Sequence, residues 1–133
     1  TTVGRASRVL GSLGASYVTM HAHGGVAMLR AGVEGLGEGA SGSGLDEPCA
    51  LAVTVLTSDA GAPPHIVPKR VATALEAGCG GLVCAVADAR EARQLAPRLR
   101  IVTPGIRPAG TPVHDQARAA TPQEAFDAGA DLP

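Results

Sequence analysis

An α/β fold built on a parallel sheet is predicted by this sequence, and three observations predict it. Apolar residues switch repeatedly between helical spacing and short continuous runs. Four such runs follow one another, each leading into a helical stretch. The breaks between them fall at glycine and proline. Strands alternating with helices build a parallel sheet with right-handed crossovers. A complete eight-stranded barrel takes about 250 residues, so 133 residues correspond to a partial TIM (β/α)8 barrel, about four parallel strands with flanking helices. An open doubly wound sheet is the structural alternative. Its fingerprint, a GxGxxG turn joining a strand to a helix, does not follow any of the four runs.

The elements follow in order. Val3, Ala6, Leu10 and Leu13 lie on one helical face, and Gly14 stops that helix. Tyr17 to Ala22 reads as a strand, after which Gly24-Gly25 turns the chain into a helix over about Val26 to Val33. The glycine-rich run from Gly35 to Gly44 reads as a flexible surface connection. It lacks the Gly-Lys-Ser/Thr ending of a phosphate-binding P-loop. Cys49 to Leu56 is almost uninterruptedly apolar, as expected of a parallel strand covered on both faces. A Pro-, Gly- and Asp-containing loop, Thr57 to Pro68, precedes a helix marked by Val67, Val71, Ala74 and Leu75 and ended by Gly78. Gly81 to Val86 is the third strand, Ala89, Ala92 and Leu95 mark the next helix, and Leu99 to Thr103 is the fourth strand. Thr121-Pro122-Gln123-Glu124 is a capping box with proline at the first helical position. That helix runs to about Ala128, Gly129 closes it, and Asp131-Leu132-Pro133 leads toward a fifth strand.

Composition excludes several function classes. Tyr17 and Phe126 are the only aromatic residues, so base stacking has almost no material. The net charge is −1 and the arginines are scattered, which argues against a phosphate-backbone footprint. The longest apolar run, Cys49 to Val53, is far too short to span a bilayer. No basic stretch precedes an apolar one at the start, so nothing suggests a secretory signal. Cys49, Cys79 and Cys84 form no CxxC and are odd in number; they read as buried reduced thiols of a cytoplasmic protein.

The richest segment is Arg100-Ile101-Val102-Thr103-Pro104-Gly105-Ile106-Arg107-Pro108 followed by Asp115-Gln116. A strand here enters a loop carrying an arginine and then a carboxamide, at the strand end where α/β proteins place ligand-contacting groups. Taken alone, Arg107 could equally be a solvated surface side chain, and Thr57 a strand-terminal turn residue. Thr2 would also serve as a helix N-cap. His21 and His23, two apart, would share a strand face and could hold a metal, but no third ligand accompanies them.

Four segments, in order, resemble bacterial-type orotidine 5′-phosphate decarboxylase. They are Val18-Thr-Met-His-Ala-His-Gly-Gly25, Leu51-Ala-Val-Thr-Val-Leu-Thr-Ser58, Gly81-Leu-Val-Cys84, and Val102-Thr-Pro-Gly-Ile-Arg-Pro108 with Asp115-Gln116. Thr121-Pro-Gln-Glu-Ala125 and Ala128-Gly-Ala-Asp131 are similar to the family as well. The resemblance implies a TIM barrel working as a homodimer. The expected reaction takes orotidine monophosphate to UMP and carbon dioxide with no metal and no organic cofactor. It implies that Thr57 meets the pyrimidine ring, that Gln116 closes over the 5′-phosphate, and that Arg107 binds ligand from the same loop. Thr2 resembles the end of an Asp-Ile-Pro-Asn-Thr motif reaching the ribose in the partner subunit's site.

An arginine fork and a carboxamide suit a phosphate dianion because both donate charge-assisted hydrogen bonds. The family's catalytic lysine lies in an Asp-x-Lys-x-x-Asp motif, which this sequence does not contain. Lys69, the single lysine, matches no catalytic position. The expectation is therefore one partial barrel domain over residues 1–133, carrying binding residues without the catalytic group. Such a half-barrel, with unpaired edges at the Tyr17 strand and beyond Leu99–Thr103, is expected to fold poorly or to associate. His23 and His114 stand where the family commonly has small residues, and the 59–68 loop is shorter than in many relatives. A sister phospho-sugar barrel needing magnesium, and a non-catalytic ligand-binding half-barrel, are the rival readings.

Overall fold

The computed structural model describes residues 1–55, 62–110 and 119–133. Helix α1 (Thr2–Ser12) leads into strand β1 (Tyr17–His21), a short 3-10 turn (Ala22–Gly24) and α2 (Val26–Gly42). Three more strand–helix units follow: β2 (Cys49–Val53) with α3 (Ile66–Ala77), β3 (Gly81–Val83) with α4 (Val86–Leu95), and β4 (Arg100–Val102) with α5 (Pro122–Asp127). The four strands form one sheet in the order β1-β2-β3-β4, and every pairing is parallel. Neighbours in sequence are thus neighbours in space, with none of the order reversal that defines a doubly wound sheet.

Strand alternation divides the sheet's two faces. Ala52, Leu82 and Ile101 turn toward the helices and are wholly buried. There they meet a core that includes Leu29, Val71, Ala74, Ala89 and Ala92. Complete burial of a side chain such as Leu82 or Ile101 contributes about 1.5–3 kcal/mol. The opposite face carries Thr19 and His21, both exposed, and the partly exposed Val53, Val83 and Val102. Leu51, on the same face, is buried because it lies across Gly81, where an added Cβ would come 2.5 Å from Leu51 Cδ2.

The glycine-rich run is not a flexible connection. Residues 35–42 continue α2, which is 17 residues long. Glycine weakens an isolated helix, but here it removes side chains where two backbones meet. A Cβ on Gly39 would come 1.9 Å from the Arg8 carbonyl oxygen, and one on Gly35 2.5 Å from that of Gly4. Gly11 of α1 answers from the other side, 2.3 Å from the Leu36 carbonyl oxygen by the same measure. Tertiary packing therefore overrides propensity. The same contact rotates α1: it buries Ser7 and Gly11, while Leu10 and Leu13 of the expected apolar face are exposed.

The cap of α1 is Thr1, whose Oγ1 accepts from the Gly4 amide at 3.0 Å; Thr2 is the first helical residue. Gly78 ends α3 in the left-handed region at φ 83°. The capping box of α5 forms as expected, with Thr121 Oγ1 accepting from Glu124 N and the Glu124 carboxylate from Thr121 N. Leu132 already bridges Val102 in parallel, and its carbonyl accepts from Thr103 N at 2.9 Å, so the last residues begin a fifth position in the sheet. Among the described residues, the outer edge of β1 has no strand partner.

Candidate functional site

Because all four strands run in parallel, their C-terminal ends share one side of the sheet. Arg107 lies beyond β4 on that side. Its loop is anchored by Gly105, at φ 75°, and by a parallel bridge between Ile106 and Ala120. Arg107 N donates to Ala120 O at 2.8 Å, and Ala120 N to Gly105 O at 3.2 Å. These contacts tie Gly105–Arg107 to Ala120. The Arg107 side chain is half-buried and turns back, Nη1 donating to the Ile106 carbonyl at 2.8 Å.

Thr2 lies at the same end of the sheet, since α1 enters β1 through a short connection and must run against it. It flanks β1 while Arg107 flanks β4, so the structure sets the two at opposite margins of the four strand ends. Thr57 and Gln116, together with His114 and Asp115, lie outside the described residues.

Between these margins the strand ends are closely held. Thr54, just past β2, is buried; its N–H and its Oγ1 both donate to the Val83 carbonyl at 3.0 Å. Arg70 of α3 donates through Nη1 to the Thr54 carbonyl at 2.5 Å. Its Nη2 lies 3.4 Å from His23 Nδ1. Sequence reasoning missed this arginine. The signal was present, because Arg70 falls between Val67 and Val71 on the helical stripe that faces the sheet. Past β4, Thr103 is buried and its hydroxyl has no hydrogen-bond partner among the described residues.

His21 and His23 do not share a strand face: His21 ends β1 and His23 sits in the 3-10 turn. Among the described residues no group of three or more His, Cys, Asp or Glu could hold a metal ion. None of the described helices is long and apolar enough to cross a membrane. Cys79 and Cys84 are buried and Cys49 is partly so.

A cavity of about 850 Å³ opens at the other end, where the strands begin, lined in part by Tyr17, Cys49, Arg93, Arg100 and Asp131. Two of its arginines, Arg93 and Arg100, are already engaged. Arg93 donates to the carbonyls of Pro97, Leu99 and Gly129 and pairs with Asp131 at 2.7 Å. Arg100 donates to the Tyr17 hydroxyl. In parallel barrels the strand-start end serves stability and the opposite end chemistry, so the candidate site stays at the C-terminal ends.

Comparison with known proteins decides the family. The model of the orotidine 5′-phosphate decarboxylase / HUMPS family matches residues 1–133. The chain belongs to that family. Orotidine 5′-phosphate decarboxylase of Anaeromyxobacter dehalogenans is 44% identical to it over 142 aligned positions, covering 98% of this chain and 59% of that protein. The enzyme of the same name from Thermobifida fusca is 41% identical, with 57% of its length covered. This member of the orotidine 5′-phosphate decarboxylase / HUMPS family therefore spans somewhat over half the length of the curated relatives it matches. Among solved structures, orotidine 5′-phosphate decarboxylase from Lactobacillus acidophilus superposes with a TM-score of 0.80 at 29% identity, covering 98% of this chain and 58% of that one. The orotidine 5′-monophosphate decarboxylase of Sulfolobus solfataricus, at 19% identity and TM-score 0.63, shares the fold. The partial-barrel expectation holds: four parallel strands with flanking helices correspond to about half of these barrels.

Proposed function

We propose that this chain is part of an orotidine 5′-phosphate decarboxylase, a lyase of pyrimidine synthesis that converts orotidine monophosphate to UMP and carbon dioxide. One observation carries the reading: a relative of that name is 44% identical over 98% of the chain. The PGIRP segment follows β4 at the end of the sheet where such barrels hold ligands.

In this reading Arg107 and Gln116 hold the 5′-phosphate, Thr57 meets the pyrimidine ring, and Thr2 reaches the ribose of a partner subunit's site. The guanidinium fork suits a phosphate dianion. Closure of the loop over the phosphate excludes water and strengthens electrostatics at the reacting carbon. The phosphate is remote from that carbon, so its binding energy can be used to assemble the closed site. The anionic transition state needs a nearby cation and a proton donor. Lys69 cannot supply them, because it is exposed in the first turns of α3 on the helix layer. The catalytic group thus belongs outside this sequence, and residues 1–133 form one partial barrel domain. The working enzyme is a cytoplasmic homodimer that needs neither metal nor organic cofactor, and it acts on a nucleotide rather than on nucleic acid or a membrane.

The test is loss of orotidine monophosphate absorbance, measured on the complete gene product and on the 133-residue chain. Turnover by the first and none by the second is expected. A folded complete product that leaves orotidine monophosphate intact, but turns over a phospho-sugar with magnesium, would move the assignment to the sister branch of the family.

A further inference from the structure

We propose that Arg70 is a positioning residue for the C-terminal end of β2 at the candidate site, clamping the Thr54 carbonyl with one arm of its guanidinium and the His23 ring with the other. The inference rests on the reading above, in which the C-terminal ends of the strands hold the ligand.

Thr54 lies just past the end of β2. Its amide and hydroxyl protons both go to Val83 of β3. Its carbonyl goes to Arg70 Nη1 at 2.5 Å. Every polar group of a fully buried residue is therefore assigned, and the strand end has one available orientation. Misplacement of a ligand contact by about 1 Å can cost a large factor in rate even when the chemical groups are intact.

The second arm ties β2 to β1. Arginine has no acceptor, so a hydrogen bond across the 3.4 Å between Nη2 and His23 Nδ1 is one that Nη2 donates. One rigid planar group thus spans the turn after β1 and the end of β2, which two adjacent strands present side by side. A lysine at this position has a single point of attachment and cannot fix the angle between two acceptors. Arg70 can act in this way because α3 brings its first turns to the strand C-terminal ends and because its stem lies half-buried beside Val67 and Val71. It touches neither reacting atoms nor ligand in this arrangement; it acts through Thr54.

The experiment compares Arg70→Met, Arg70→Lys and His23→Ala in the complete gene product. Turnover of orotidine 5′-phosphate is resolved into kcat and KM, and amide exchange is followed at Thr54. Arg70→Met is expected to lower kcat/KM roughly tenfold or more, with the melting midpoint nearly unchanged and Thr54 exchange about tenfold faster. Arg70→Lys is expected to recover part of the loss, and His23→Ala to lie between wild type and Arg70→Met. An active wild type beside an Arg70→Met variant with unaltered kcat and KM would overturn the proposal. If Arg70→Met does not fold, unaltered kcat/KM in both other variants overturns it equally. A wild type that leaves orotidine 5′-phosphate untouched sinks the functional reading instead. Thr54 exchange then decides the clamp alone, acceleration upholding it and unchanged protection overturning it.

Discussion

Arg100 on β4 reaches Tyr17 on β1, its guanidinium donating to the phenol oxygen and lying 5.6 Å from the ring centroid. Two strands separate these residues in the sheet, so the pair spans the width of β2 and β3. A partly exposed contact of this kind contributes about 0.5–1 kcal/mol. Arg100→Ala in the complete gene product is expected to lose about that much in chemical denaturation. Tyr17→Phe keeps the ring face and is expected to lose less; equal losses would assign the contact to the hydrogen bond alone.

The α1–α2 interface gives a sharper test. Gly39→Ala should be destabilising by about 1–3 kcal/mol, as overpacking generally is, because the new methyl meets the Arg8 carbonyl oxygen. Gly42→Ala in the last turn of the same helix has nothing within 4 Å to meet, and should be neutral or stabilising by up to about 1 kcal/mol. Opposite signs for two identical substitutions three residues apart, read by denaturant midpoint, would establish backbone contact as the reason for the glycines.

Asp131 should make stability depend on acid. The Ile101 amide donating to its carboxylate at 2.8 Å holds the group below the usual carboxylate range, and Arg93 adds to this. A depressed carboxyl contributes stability that is present above its unfolded value, near 3.9, and is lost as pH falls through the folded value. The side chain is nearly half exposed, so solvent screening keeps the contribution below about 1 kcal/mol. Asp131→Asn should therefore flatten the stability profile below about pH 4, and leave the profile near neutrality parallel to wild type.

Cys79 is expected to resist alkylation. Burial, with Cys49 nearby, pushes its thiol up to about 11, and the thiolate is the reactive form. Iodoacetamide at pH 8 should label Cys49 first and Cys79 only with unfolding, as peptide mass spectrometry would reveal. A raised thiol also carries a stability term that is intact below the unfolded value, 9.0, and lost as pH rises toward about 11.

Arg107→Ala in the complete gene product should raise KM for orotidine monophosphate by about one to two orders of magnitude, since a hydrogen bond to a charged group contributes about 1.5–3 kcal/mol. If Arg107 is only a surface side chain, KM will not move. UMP binding measured by calorimetry should shift in step with KM.

The strand order, the capping box at Thr121 and the turn at Gly78 were legible because each depends on local chemistry: periodicity, a side chain reaching three residues along, a left-handed glycine. Gly35 to Gly42 was misread for the complementary reason. Its helix exists only because α1 lies against it, and nothing within the segment announces that neighbour. Leu10 and Leu13 misled in the same way, since apolar spacing names a face but not what covers it. At the site, the loop carrying Arg107 was visible as a motif. Arg70 was not, because one cation within an apolar stripe acquires meaning only when the strand end beside it is known. The expected contacts of Thr57 and Gln116 fall outside the described residues, and so does the expected influence of His114.

Consecutive strand order has a kinetic consequence. Each strand of this sheet pairs with the one made just before it, so every pairing closes a loop of a few tens of residues, and closure cost grows only slowly with loop length. Parallel sheets fold slowly as a class, and this order keeps the sequence separation of each pairing at the short end for such sheets. A chain emerging from the ribosome can therefore add one strand–helix unit at a time to a growing edge. The clasp from Tyr17 to Arg100, 83 residues apart, can form only after four units are in place. It is a late contact, and substitutions there should speed unfolding far more than they slow folding.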